Sequence, residues 1–561
     1  MTFNIPEHYK EVSLRLNRVL DSVGLGEDIR WKRINMWIQS EEITSVRLCN
    51  SLHFLGSQAE ATTTPGLHSD IDCVICMPFR VVKDLESWVP GLPTLLIIND
   101  ESTHPGYVKL QLVDEDTPRP IYHRHNAHFK LDRYARTVYC NDCLKLGLAD
   151  EHHGPANRNA YGTLNMDNVP AMRLHSWPEQ SSQWLTRNRR HNWPLQETID
   201  LIQQTGVLLV PVGHKRSEEK HLEWRISISY GEKLLVWLFN STQYKCYVLL
   251  KMINKCFIKS VIGDDVLSSY HCKSCMFYII EKTPTSMWRP DNLLLCVELC
   301  LRLLYKWTES ANCPNYFIPE ENMFECKVYG HVQGQLLGIL NNLLRQEGRY
   351  LVGISCDNIG QKFLETSQTP LMELELLDVD LEQVLITSIL ILVGTFAATV
   401  RSFHETDSMF DHALLDRTFS SRGPRREANA ILMAFYCSIL GSKQASKILS
   451  QESIDQHGMD MAHELLLWGS SSDVASGKLK LAAFYLVQDK LEMSEDVLNE
   501  IHENFSYKIS EVPCISRHTL QAILSENLST TKLISQYTAF QVLYHPSEIK
   551  CTPKALIPEM F

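Results

Sequence analysis

The sequence predicts an α+β fold carrying an additional all-α region toward its C-terminal end, and three observations predict it. The stretch Ser69-Asp70-Ile71-Asp72-Cys73-Val74-Ile75-Cys76 alternates as a strand does, with a Gly56-Ser57 pair one Thr-rich loop upstream. Apolar positions return at helical spacing through residues 7–46. After Gly360 the periodicity is helical again, with no return to alternation. A chain of 561 residues with 44% hydrophobic content can bury a large core and divide into two to four domains.

Val12, Leu14, Leu16, Val19, Leu20, Ile34, Trp37 and Ile38 predict a long helix, bent near Gly24-Leu25-Gly26. The strand-loop-strand with Gly56, Ser57, Asp70 and Asp72 follows. In an extended strand, side chains two apart share a face, so Asp70 and Asp72 lie side by side while Ile71, Cys73 and Ile75 enter a core. Two carboxylates this close are costly unless a proton or a cation relieves them. Mg²⁺ takes hard oxygen ligands, typically one or two carboxylates plus substrate phosphates. Glycine lets a backbone approach phosphate closely, and the serine hydroxyl can donate to it. Leu95–Ile98 and Val108–Val113, bounded by Pro, Gly and Asp, read as further strands of a mixed sheet.

Cys140 and Cys143, with His152-His153 downstream, have a spacing that a zinc site could use. No second convincing ligand pair follows, and core or loop cysteines are the weightier reading, so no structural zinc is expected. Cys272 and Cys275 fall inside an apolar helical pattern and are read the same way. The 17 cysteines lack small-domain spacing and Met1–Pro6 lacks a charged-then-apolar leader, which points to a reducing, cytoplasmic setting. Val384–Val400 is uncharged, but 17 residues is the short limit for a spanning helix, and it carries Thr387, Ser388, Thr395 and Thr399. A buried helix, with no membrane, is expected.

The net charge of −12 is uneven: 38 Lys+Arg stand against 39 Asp+Glu in residues 1–350, and 16 against 27 in 351–561. Any nucleic acid would therefore favour the first two thirds, through a local basic patch and not through global charge. The strongest cluster is Arg187, Arg189 and Arg190, weighed against an ordinary solvated face. The acidic run Glu373–Glu382 reads as a linker or a solvated helix face. Leu479–Ile501 has the pattern of a helical hairpin similar to tetratricopeptide-type units, a kind of array that generally binds protein.

Gly-Ser followed by Asp-x-Asp resembles the signature of the nucleotidyltransferase superfamily, in which a third acid comes from a later strand. Asp167, before Asn168-Val169-Pro170-Ala171, fits that role. Because proline is confined to edge strands or strand ends, Asp167 is expected to point into a cleft just before the sheet gives way to Ser176-Trp177-Pro178. The ordered series resembles one branch in particular, the cGAS-like receptors within the Mab-21 family, without their vertebrate zinc insertion. It comprises Gly56-Ser57, Asp70-Ile71-Asp72, Asp167–Ala171 and Trp177-Pro178, then Leu222–Ser229, Leu250-Lys251, Ser268–His271 and Asn315–Pro319.

The resemblance implies a bilobal nucleotidyltransferase fold: an N-terminal helical region in 1–50, the catalytic core in 51–235, a helical lobe in 236–365 and a helical extension in 366–561. It implies that Asp70, Asp72 and Asp167 are catalytic and hold two Mg²⁺ or Mn²⁺ ions. Gly56, Ser57, Arg225, Ser227, Ser229, Lys251, Ser269 and Tyr270 would contact the nucleotides, with Ser227 and Ser229 on the same strand face as Arg225. ATP and/or GTP would be the substrates, a cyclic dinucleotide the product in innate immunity, and a double-stranded RNA or DNA the activating ligand. Two alternatives stay open: a catalytically inactive interaction protein that uses its C-terminal helices to bind a partner, and a linear 2′–5′ oligonucleotide synthase. Oligomeric state is left unread.

Overall fold

The computed structural model describes residues 7–48, 52–144, 151–153, 156–161, 164–264, 266–370, 379–405, 414, 417–418, 420–451, 453–505, 509–511, 530–540, 548 and 550–551. It is an α+β protein whose contacts divide it into two units, one of residues 1–30 and 53–380, the other of 31–52 and 381–561.

The first unit is organised by one sheet. Its strands are β1 (Leu52–Leu55), β2 (Ile71–Cys76), β3 (Arg80–Val82), β4 (Thr94–Ile98), β5 (Tyr107–Leu112), β6 (Phe129–Leu131), β7 (Thr137–Tyr139), β8 (Glu151–His153), β9 (Ala156–Tyr161), β10 (Leu164–Leu174), β11 (Val207–Val210) and β12 (Glu223–Ser227). The order is β1-β2-β10-β11-β12-β5-β4-β3, with β9 and β8 added beside β10 and β7 and β6 beside β5.

β10 carries its proline within the strand and stops just short of Ser176-Trp177-Pro178, where the sequence has the sheet give way. It runs on to Leu174, pairing in parallel with β2 along one edge. On its other edge β9 pairs only as far as Asn168 and β11 begins at Met172. Pro170 falls in the gap, where its missing N–H costs no ladder bond.

The two faces of this sheet differ. Leu95, Val108, Leu110, Met172, Leu174, Val207, Leu209, Trp224 and Ile226 belong to the main core of the unit. That core also takes in the Ser241–Ile253, Ser269–Lys282 and Leu293–Glu309 helices. Among the described residues the other face carries smaller apolar patches, one of Leu55, Val74, Ala171, Leu208, Val210 and Tyr230 and one of Val138, Cys140 and Leu222 beside Gln111.

The helix Glu7–Leu20 gives way to a wide turn at Asp21–Leu25, where Gly24 has φ +88°, as the bend at Gly24–Gly26 predicts. Just beyond it, Arg30 is fully buried and donates to Phe239 O (2.6 Å) and Val236 O (2.7 Å). It thereby satisfies the orphan carbonyls at the end of the Ser229–Trp237 helix with a cation, which the helix dipole favours.

Among the described residues the second unit is helical apart from a two-residue parallel pairing of Ser510–Glu511 with Thr538–Ala539. The Pro424–Ile448 helix packs on Gln456–Gly469, and Ser476–Val487 with Leu491–Asn504 forms the hairpin read from the sequence. Leu381–Glu405 contains the apolar run, and more than half of its most apolar stretch is packed inside the protein. Ile389, Leu392 and Phe396 are fully buried, and Thr399 Oγ1 donates to Ile43 O (3.4 Å). Residues 373–378 of the acidic run lie outside the described residues.

Candidate active site

Asp72 of β2 and Asp167 of β10 are direct partners in the parallel ladder. Paired residues share a face, so both carboxylates stand on the less apolar side, with Asp70 immediately before β2. Burial first, then Asp167, Glu60 and Asp70, pushes the Asp72 carboxyl up to about 7, with Lys273 opposing. A buried acid beside three other carboxylates is a site where a cation would relieve both desolvation and repulsion. Among the described residues no three carboxylate, thiol or imidazole groups are gathered tightly enough to hold an ion unaided. Charge and donor type therefore fit a hard divalent ion that brings part of its oxygen shell with it, as Mg²⁺ does with phosphates.

β1 leads straight into the short Gly56–Ala59 turn of helix, which faces these acids. Gly56 has φ +68°, and a Cβ there would overlap the Asp72 carboxylate, so only glycine admits this approach. Ser57 Oγ accepts from Lys251 Nζ at 2.8 Å, and the same ammonium donates to Thr62 O at 2.7 Å. Lys251 comes from the Ser241–Ile253 helix, 194 residues away in sequence from Ser57. The structure thus joins the predicted serine and lysine into one polar unit. Beside it lies an ion cluster that sequence reasoning missed: buried Lys273 donates to Glu60 (2.6 Å) and Glu232 (3.2 Å). A lysine and a glutamate at buried positions of apolar helical patterns were the available signal.

Register carries the same face across to β12. Arg173, on the parity of Asp167, pairs with Leu208; Leu208 pairs with Ser227, Val210 with Arg225, and Arg225 with Tyr107. Arg225 and Ser227 therefore share the face of the acids. Tyr107 is pushed up to about 12 by burial, with Arg225 opposing. Burial, Glu232 and Glu321 hold the Tyr270 phenol well above its ordinary value, while Lys273 and Arg225 pull it down. Tyr270 is half-buried and its hydroxyl accepts from Asn315 Nδ2 (3.3 Å), which also donates to Glu321 (2.7 Å). Tyr107, Glu321 and Asn315 thus join Arg225 and Tyr270 in one polar cluster.

Two predicted placements change, those of Ser229 and of the arginine cluster. Ser229 is not on the strand with Ser227: β12 stops at Ser227 and Ser229 opens the next helix, although the two hydroxyls stay 3.2 Å apart. Ser269 is the exposed first residue of the Ser269–Lys282 helix. The arginine cluster is largely turned inward. Arg187 donates to Tyr316 O (2.7 Å) and Glu281 (3.4 Å), and Arg189 caps Trp184 O while its guanidinium covers the Trp184 ring at 4.9 Å. Only Arg190 of the three is exposed. Aromatic and acidic partners from distant segments claim the other two.

Cys140 is buried and Cys143 Sγ donates to Ala127 O (3.0 Å), while the side chains of His152 and His153 lie outside the described residues. Cys272 and Cys275 are both fully buried in the Ser269–Lys282 helix.

Comparison with known proteins finds two partial likenesses. Residues 242–333 match the family model described as Mab-21 protein HhH/H2TH-like domain. Over 174 residues the chain is 26% identical to the cyclic GMP-AMP synthase of Sus scrofa, a match covering 27% of this chain and 33% of that protein. The chain thus spans about a third of the length of that curated relative.

Proposed function

We propose that this chain, which belongs to the Mab-21/cGAS-like nucleotidyltransferase family, is a metal-dependent nucleotidyltransferase with a bilobal catalytic unit. Its substrates would be nucleoside triphosphates, and its product a cyclic dinucleotide made when a double-stranded nucleic acid binds. The observation that carries this reading is the ladder pairing of Asp72 with Asp167 beside Gly56-Ser57.

Asp70, Asp72 and Asp167 would hold the divalent ions, whose chemistry is to activate the attacking ribose hydroxyl and neutralise the leaving pyrophosphate. Ser57, its lone pair engaged by Lys251, keeps its proton to donate to a triphosphate oxygen, and the ammonium adds positive charge at that point. Arg225 presents a planar fork of donors to a base, and Tyr270 offers a ring to stack on it, a contact worth on the order of 1–3 kcal/mol. Arg190 remains a candidate for a nucleic-acid backbone; Arg187 and Arg189 serve the fold.

The test is incubation of purified full-length protein with labelled ATP and GTP, Mg²⁺ or Mn²⁺ and a panel of RNA and DNA duplexes. A phosphatase-resistant product, lost in Asp72→Ala, supports the reading, and its mass separates a cyclic from a linear 2′–5′ product. No product with any duplex would overturn it. One observation favours a second reading, a catalytically idle interaction protein: the second unit exposes Trp468 (69%), Leu491 and Ile454 (63% each). Such apolar exposure suits partner binding. Nucleotide binding without turnover, with a partner captured through residues 381–561, would mark that outcome.

A further inference from the structure

Away from the acids, two cysteines stand in contact. Cys256 lies in the Asn254–Lys259 segment that follows the Ser241–Ile253 helix, and Cys356 in the short Cys356–Asn358 turn. Their sulfurs are 3.4 Å apart, and Cys256 Sγ is 3.5 Å from Ser355 Oγ. Cys256 is half-buried, within reach of a small reagent, whereas Cys356 is only 6% exposed.

We propose that Cys256 and Cys356 are a redox-reactive dithiol, with Cys256 the attacking sulfur and Cys356 the resolving one, that takes a low-molecular-weight disulfide as oxidant. The surroundings support that division of labour. The contact with the Cys356 sulfur, then that with the Ser355 hydroxyl and the backbone N–H groups of Cys356 and Ser355, all favour the Cys256 thiolate. Together they outweigh burial and bring the Cys256 thiol down to about 5, while Cys356 is raised. The charges beside Cys356 are Lys255, which lowers its thiol, and Asp357, which raises it. The thiolate is the nucleophile in disulfide exchange.

In the first step Cys256 attacks one sulfur of the oxidant, forming a mixed disulfide and releasing one thiolate. Cys356 then gives up its proton and attacks Cys256 Sγ, expelling the second thiolate. The protein loses two electrons and the small disulfide gains them, and the sulfurs close from 3.4 Å to the ~2.05 Å of a bond.

The bond would tie two anchors of one loop. Asp357 accepts from Gly66 N (2.7 Å) and Thr64 Oγ1, and Lys255 Nζ donates to Gly66 O (2.8 Å). That loop leads into Asp70. An effect of oxidation on nucleotide binding rests on the proposed function; the dithiol chemistry does not.

The experiment treats the reduced full-length protein with oxidised glutathione at pH 7, quenches with iodoacetamide and maps the peptides by mass spectrometry. The expected dominant disulfide is Cys256–Cys356. Cys356→Ser should accumulate glutathione on Cys256, and Cys256→Ser should leave Cys356 reduced. At pH 6 iodoacetamide should alkylate Cys256 at least about tenfold faster than any other cysteine. Absence of the linked peptide from wild type, or ordinary alkylation of Cys256, overturns the proposal. Should a serine variant fail to fold, the wild-type map and rates decide alone.

Discussion

The two faces of the sheet are built from the same strands and do opposite work. On one, Met172, Leu209, Trp224 and Ile226 are buried in the main core; on the other, one residue along in each case, stand Arg173, Leu208, Arg225 and Ser227, with Asp72 and Asp167 farther along. Alternation at period two lets a single strand donate half its residues to stability and half to a polar site. The strand residues that enter the main core are apolar, whereas on the other face burial, and then the neighbouring carboxylates, raise Asp72 to about 7. The difference teaches that the acid face is a net cost to the apo fold, sustained by the face behind it.

The largest expected effect breaks the comparison on the acid side. Asp167→Ala should lower turnover on the order of 10³-fold or more while far-ultraviolet circular dichroism stays unchanged. A variant that unfolded instead would show that this face carries stability after all. On the opposite face, Trp224→Ala should cost about 3–5 kcal/mol in denaturant unfolding, because Trp224 is fully buried and its indole N–H donates to Tyr139 O (3.1 Å).

A smaller effect separates the packed helices from the site by pH. His271, 2% exposed, caps its helix, its Nδ1 accepting from Ser268 N (2.9 Å), and burial brings its imidazole down to about 4. The unfolded chain takes up that proton near 6.5 and the folded one does not. The contribution is therefore complete above about 6.5 and is lost as pH falls toward 4, a change on the order of 3 kcal/mol. Equilibrium unfolding from pH 7 to 4 should show this slope in wild type and a shallower one in His271→Gln. Smallest of all, Ser227→Ala should change stability by less than ~1 kcal/mol, since among the described residues its hydroxyl bonds its neighbour Ser229 at 3.2 Å.

What the sequence disclosed follows from how local each signal is. Asp70, Asp72 and Gly56 were legible because alternation and glycine act over a few residues. The helices on either side of the Asp21–Leu25 bend and the Ser476–Asn504 hairpin were legible for the same reason. Asp167 needed the family pattern, since register between β2 and β10 is not written in either strand alone. The Lys251–Ser57 contact and the Lys273–Glu60–Glu232 cluster were not legible, because each joins segments far apart in sequence. Arg187 and Arg189 misled for that reason too: their basic run looks solvated until Glu281 and Tyr316 are brought against it. The end of β10 before Ser176-Trp177-Pro178 was legible, but Pro170's place inside the strand was not, because its tolerance depends on where two neighbouring strands stop.

The most direct measurement of the central claim is thermal unfolding of wild type and Asp72→Asn in chelator-treated buffer, repeated with Mn²⁺ and a non-hydrolysable triphosphate. Removing one of the crowded charges should make the variant melt above wild type without metal, and only wild type should rise when metal and nucleotide are added. A wild type indifferent to both, or a variant that rises with them as wild type does, would contradict the account.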